Sequence, residues 1–223
     1  LLTVCAISSP QISYGDEDNI YESVETEVWM FDAFIGKKKI GEHQFEVIRS
    51  RDKITAKSAA SFEYKVLKIP LFKYEHSVVE VYDSQSCLKS ISSETTTNSK
   101  RIQLLGEKKG GDFFVTGANE ATFGGACLMP FAYWSPRLLE QTALINGQTG
   151  MITPIKVRSV DLGDNEKNYV LSGKDLDIEL SYSSEDKWTG LQSKLPLGRT
   201  LKYALVSYRR SVPELVSLSI SRN

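Results

Sequence analysis

Apolar and polar residues alternate with a period of two along most of the chain. Ala60, Phe62, Tyr64 and Val66 are interleaved with Ser61, Glu63 and Lys65, and Leu176, Ile178, Leu180 and Tyr182 with Asp177, Glu179 and Ser181. Val216, Leu218 and Ile220 are interleaved with Ser217 and Ser219. Successive side chains of a strand point to opposite faces, so the pattern predicts strands with one buried and one wet face. Rougher alternation predicts further strands over 21–31, 39–49, 70–82, 87–96, 101–107, 152–160, 187–194 and 200–208. Turn-forming residues separate them: Ile35-Gly36-Lys37, Arg51-Asp52-Lys53, Asp83-Ser84, Lys109-Gly110-Gly111-Asp112, Gly163-Asp164-Asn165 and Ser184-Glu185-Asp186. Many short strands with a single apolar face describe an all-β fold, an antiparallel, strongly curved sheet or open half-barrel around its own core.

One stretch breaks the alternation. From Gly124 to Pro136 the chain is apolar, aromatic and bracketed by Pro130 and Pro136, with Phe131, Tyr133 and Trp134 close together. Ser135 as N-cap and Pro136 at the first helical position predict one short helix within 135–146. Gly106, Gly110, Gly111, Gly117, Gly124 and Gly125 make the approach to this stretch read as turn-rich. No linker and no internal repeat interrupts the chain, so residues 7–223 are expected to form a single β-rich domain.

Composition narrows the class. The 223 residues suit one large all-β domain, and 41% apolar with 25% charged residues argues against disorder. Lys plus Arg number 27 against 28 Asp plus Glu, which excludes a generally basic nucleic-acid binder. The opening run Leu1-Leu2-Thr3-Val4-Cys5-Ala6 ends with small residues, as a signal peptide does before its cleavage site. Residues 1–6 are therefore expected to be a signal remnant and the mature chain to begin near Ile7, in the periplasm or cell envelope; a buried N-terminal strand is the alternative. No run approaches the ~18 apolar residues of a helical membrane span, so none is expected. Loss of Cys5 would leave Cys87 and Cys127, an even pair for which an oxidising compartment predicts a disulfide. The competing outcome is two buried thiols.

Candidate chemistry is sparse. His43 shares a strand face with Phe45 and Val47 and reads as a core or rim histidine. His76 shares one with Tyr74, Glu80 and Tyr82, which suits either a satisfied hydrogen-bond network or a site for acid–base work or a polar ligand. Phe131, Tyr133 and Trp134 suit either a plug closing the sheet, with Gln141, Asn146 or Gln148 as polar partners, or the lining of a cleft for a sugar, lipid or peptide. The ligand-binding candidates are thus Tyr74, His76, Glu80, Phe131, Tyr133, Trp134 and Gln141. There is no Gly-x-Ser-x-Gly elbow and no phosphate-cradling glycine motif, and two separated histidines do not make a metal site; no catalytic residue, metal or cofactor is expected. Cys127 with His76 would imitate a thiol–imidazole pair only if Cys127 were free. The pairs Glu25/Glu27 and Asp175/Asp177 and the runs Lys37-Lys38-Lys39 and Arg209-Arg210 read as solvated charges.

The stretch Cys127-Leu128-Met129-Pro130-Phe131-Ala132-Tyr133-Trp134-Ser135-Pro136, with Gln141 and Asn146-Gly147-Gln148-Thr149-Gly150 after it, resembles an exported bacterial family without assigned function, domain of unknown function 6134. Phe34 to Phe45, Tyr74-Glu75-His76-Ser77, Glu80-Val81-Tyr82 and Cys87-Leu88 are similar to its upstream strands, so the resemblance spans roughly 21–205. Ser135 stands where the family usually has Asn, and Ser99 where Gly often follows Asn98. The resemblance implies an exported, mostly β protein akin to the half-barrels of envelope lipid carriers, and implies no reaction. The leading expectation is a non-catalytic envelope protein that holds an apolar or amphipathic ligand, or a protein partner, in its concave face. The alternatives are an envelope hydrolase or lyase using His76 and Tyr133, and a structural subunit of an envelope assembly. Expected partners are a lipid, a glycan or an envelope protein, with no nucleic acid.

Overall fold

The computed structural model describes residues 21–66, 69–117, 120–124, 127–161, 166–195, 198–211 and 214–217. The expected cleavage site, the turn at 163–165 and positions 218–220 lie outside these residues. The first long strands are β1 (Tyr21–Ile35), β2 (Lys38–Arg49), β3 (Lys53–Val66) and β4 (Ile69–Asp83). They are followed by β5 (Leu88–Thr97), β6 (Lys100–Lys109), β7 (Asp112–Gly117) and β8 (Ala121–Gly124). After an irregular stretch come β9 (Ala143–Ile145), β10 (Ile152–Pro154) and β11 (Lys156–Val160). The chain ends with β12 (Lys167–Gly173), β13 (Leu176–Tyr182), β14 (Trp188–Leu195), β15 (Arg199–Arg210) and β16 (Glu214–Ser217).

All but β9 and β10 belong to one 14-stranded antiparallel sheet. Its path is β11-β12-β13-β14-β15-β1-β2-β3-β4-β5-β6-β7-β8, with β16 beside the start of β1, so the two halves of the chain meet at the β1–β15 pair. The path does not close, because β11 and β8 are its two edges. This is the antiparallel, open half-barrel that the alternation predicts.

The alternation also sets which side is filled. Along β4 the residues Tyr74, His76, Val78, Glu80 and Tyr82 turn inward while Lys73, Glu75, Ser77 and Val79 face water. Inward positions of the whole sheet, among them Trp29, Phe31, Val47, Leu104, Leu171 and Trp188, form one buried cluster. The turn-rich approach is in fact the hairpins β6–β7 and β7–β8. Gly106 in β6 lacks the Cβ that would stand 2.6 Å from the Phe113 ring and 2.7 Å from Ile91, and so leaves room for both side chains to pack against the strand.

The concave face is not open. Residues 127–155 cross it as a plug that buries Met129, Ala132, Trp134, Leu138, Leu144, Ile145 and Ile155. Cys127 is disulfide-bonded to Cys87, with Cα atoms 4.8 Å apart, and the Leu88 amide donates to the Leu128 carbonyl beside the bridge. The predicted strand over 152–160 is split at Ile155, where the chain changes partner: Ile152–Pro154 pair with β9, the Ile155 amide donates to the Thr142 carbonyl, and Lys156–Val160 pair with β12. The helix after Ser135 is a five-residue 3₁₀ helix, Pro136–Glu140. Ser135 caps it through its carbonyl, to the Leu138 amide at 3.0 Å, and its side chain makes no cap bond.

Candidate functional site

The cavity between plug and sheet has a volume of about 250 Å³. Its floor exists because inward positions of β3 carry small side chains, Ala56 and Ser58, between the larger Ile54 and Phe62. β4 supplies Tyr74, His76 and Glu80, β2 supplies His43 and Phe45, and β15 supplies Tyr203. The plug supplies Phe131, Tyr133 and Trp134 from the other side. Every sequence candidate except Gln141 therefore lines one cavity. Gln141 lies elsewhere, donating from its side chain back to the Arg137 carbonyl at the end of the 3₁₀ helix.

The polar groups of the wall have distinct settings. Glu80 is 8% exposed and accepts the Tyr82 hydroxyl at 2.6 Å; burial pushes its carboxyl up to about 7, against the smaller opposing effect of that hydrogen bond. His76 Nδ1 lies 2.8 Å from the Thr95 hydroxyl, and burial lowers its pKa. His43 lies against Phe45 with ring centroids 4.0 Å apart, and its Nδ1 meets the Tyr203 hydroxyl at 3.0 Å. Its Nε2 is buried without a partner, and burial, with a smaller contribution from nearby His76, pushes its pKa down to about 3. Burial raises Tyr74 to about 12 and raises Tyr133 and Tyr203 as well. At neutral pH the imidazoles and phenols of the wall are all uncharged.

The plug is fixed by its own polar contacts. Gln148 donates to the Tyr74 hydroxyl at 2.8 Å, and Tyr182 donates to the Tyr133 carbonyl at 2.8 Å. Gln148 thus partners a sheet tyrosine, not the plug aromatics the sequence suggested. Asn146 accepts the amides of Gln148 and Thr149 on its side chain, and Gly150, at φ +74°, closes the turn with its amide on the Asn146 carbonyl. A Cβ on Gly150 would meet Val115 Cγ1 at 2.5 Å. The resemblance motif Asn-x-Gln-Thr-Gly is therefore a turn that seats the plug.

Other sequence readings resolve similarly. The disulfide consumes Cys127 as a nucleophile. Lys39 is paired with Asp32 and Glu42, and Arg210 with Glu25, so these basic residues are neutralised locally. Glu27 does not point to water: its carboxylate accepts from Arg49 at 3.1 Å and from the Tyr208 hydroxyl at 2.7 Å. Among the described residues no group of three or more His, Cys, Asp or Glu side chains converges as a metal site would, and no helix is long and apolar enough to cross a membrane. Sequence reasoning missed Ala56, Ser58 and Tyr203 and assigned His43 only to the core or rim. The usable signal was the run of small inward residues Ala56, Ser58 and Ala60 between Ile54 and Phe62.

A family model described as a domain of unknown function, DUF6134, matches residues 31–206. No curated protein matches the chain. Among solved structures, the crystal structure of a beta-barrel-like protein of domain of unknown function DUF1849 from Brucella abortus superposes with a TM-score of 0.59 at 9% identity, covering 83% of this chain and 98% of that one. At that identity the likeness is one of fold.

Proposed function

The chain belongs to the DUF6134 family, and from that premise we propose that it is an exported envelope protein that binds a small amphipathic molecule, without turning it over, in the cavity between plug and sheet. The observation that carries the reading is the cavity itself, where aromatic rings of the plug face His43, His76 and Glu80 of the sheet. Apolar walls with a few convergent polar groups are the usual form of a ligand site. At about 250 Å³ the space falls at or below the small end of the roughly 300–1,000 Å³ range of such sites, which supports a compact ligand over a long acyl chain. The Cys87–Cys127 disulfide supports an oxidising compartment.

The hydrolase or lyase reading has less support. Burial holds the Tyr133 phenol protonated and lowers the His76 pKa, so Tyr133 is no ready base near neutral pH and the pair lacks the second proton-transfer group that the reading needs. Native mass spectrometry of the protein purified from the envelope fraction of its host tests the proposal. A small-molecule adduct is expected, lost in Ser58→Phe, which fills the floor of the cavity. Adduct-free wild-type spectra, or an adduct that survives Ser58→Phe in a folded variant, would count against it.

A further inference from the structure

We propose that the ligand is a protonated amine with a short apolar body, its ammonium held by the Glu80 carboxylate and the aromatic walls of the cavity. This rests on the reading that the cavity is a ligand site, and adds the charge and class of what enters.

Glu80 lines the cavity, and its hydrogen-bond partner is a neutral hydroxyl, that of Tyr82. A buried carboxylate with one neutral donor is poorly compensated and is stabilised strongly by an entering cation. Among the described residues no resident cation does this. The other titratable groups of the wall are His43, His76, Tyr74, Tyr133 and Tyr203, whose pKa values are shifted so that each stays neutral at pH 7. Lys57 also borders the space, but it is ion-paired with Glu46 at 3.0 Å and 51% exposed. Arg49, which lies over Trp134, is paired with Glu27.

Two further features suit an ammonium group. Phe131, Tyr133 and Trp134 line the cavity, where a partly desolvated cation gains from aromatic quadrupoles. His43, which also borders the cavity, bonds the Tyr203 hydroxyl through Nδ1, and burial keeps its ring neutral, so it sets no positive charge against an entering cation. The same features disfavour carboxylates and phosphates, which would bring a second negative charge beside Glu80.

Three probes that share one carbon skeleton test the class: 3-methylbutylamine, 3-methylbutan-1-ol and 3-methylbutanoate, titrated calorimetrically into the full chain at pH 8. The amine should bind at least about tenfold more tightly than the alcohol, as expected for a hydrogen bond to a charged group, and the acid should not bind. Glu80→Gln should bring amine and alcohol to within about threefold of each other. A readout on wild type stands if that variant does not fold. At pH 7 the amine should release about half a proton on binding, seen as a buffer-dependent enthalpy, and the alcohol none. Sedimentation with phosphatidylglycerol vesicles with or without phosphatidylethanolamine separates a free amine from a lipid headgroup as the source. Equal binding of amine and alcohol, or tighter binding of the acid, overturns the amine and leaves the ligand cavity standing. Binding of none of the three also overturns the amine, and with adduct-free native spectra it removes the ligand cavity as well.

Discussion

Tyr82 donates its hydroxyl to Glu80 at 2.6 Å from two residues further along the same strand, and both side chains are buried. Neighbouring inward positions of one strand thus hold a carboxyl group whose pKa, normally 4.5, stands at about 7. His43 across the cavity is shifted the other way, from 6.5 to about 3.

These two groups make opposite contributions to stability. The folded state binds Glu80's proton more tightly than the unfolded state, so this contribution is fully present below pH 4.5 and is lost as pH rises to about 7. The folded state disfavours protonated His43, so that contribution is present above pH 6.5 and is lost as pH falls toward 3. The two slopes oppose each other, each about 1.4 kcal/mol per pH unit at most. Relative to wild type, Glu80→Gln should therefore gain stability as pH rises from 4.5 to 7, and His43→Phe as pH falls from 6.5. Urea midpoints across this range measure both, and parallel curves for wild type and Glu80→Gln would contradict the assignment.

The Cys87–Cys127 bridge closes a sequence separation of 40 residues and anchors the start of the plug. Replacing both cysteines by serine should cost about 4 kcal/mol in the loop-entropy model, read as a lower denaturation midpoint. Thiol titration of the denatured, unreduced protein should find neither Cys87 nor Cys127 free.

Gly150→Ala should destabilise the protein by about 2–4 kcal/mol, since it adds a side chain at positive φ and overpacks a filled site. The added carbon would stand 2.5 Å from Val115. Thermal unfolding checks this, and Gly147→Ala, whose Cβ would have ordinary room at 3.4 Å from Ile91, serves as the mild control.

Gln148 and Tyr74 join plug to sheet through one hydrogen bond of 2.8 Å. A double-mutant cycle with Gln148→Ala and Tyr74→Phe should return a coupling of about 1 kcal/mol. Additive effects would mean that this hydrogen bond contributes nothing to seating the plug.

The period-two pattern was enough to reveal an all-β chain, most of its turns and the inward set Tyr74, His76, Glu80 and Tyr82, because strand geometry ties side-chain direction to sequence parity. The aromatic stretch announced itself by breaking that parity, and the even pair expected once Cys5 is set aside anticipated the bridge between Cys87 and Cys127. What lies opposite an inward face has no such local signal. That the plug fills the concavity, that Ala56 and Ser58 leave space beneath it, that His43 and Tyr203 meet across 160 residues of sequence and that Gln141 turns away from the site were decided only when the curved sheet brought distant strands together. Local alternation determines which way a side chain points, whereas the burial that gives Glu80 its raised pKa and His43 its unpartnered nitrogen depends on how the whole sheet coils around residues 127–155.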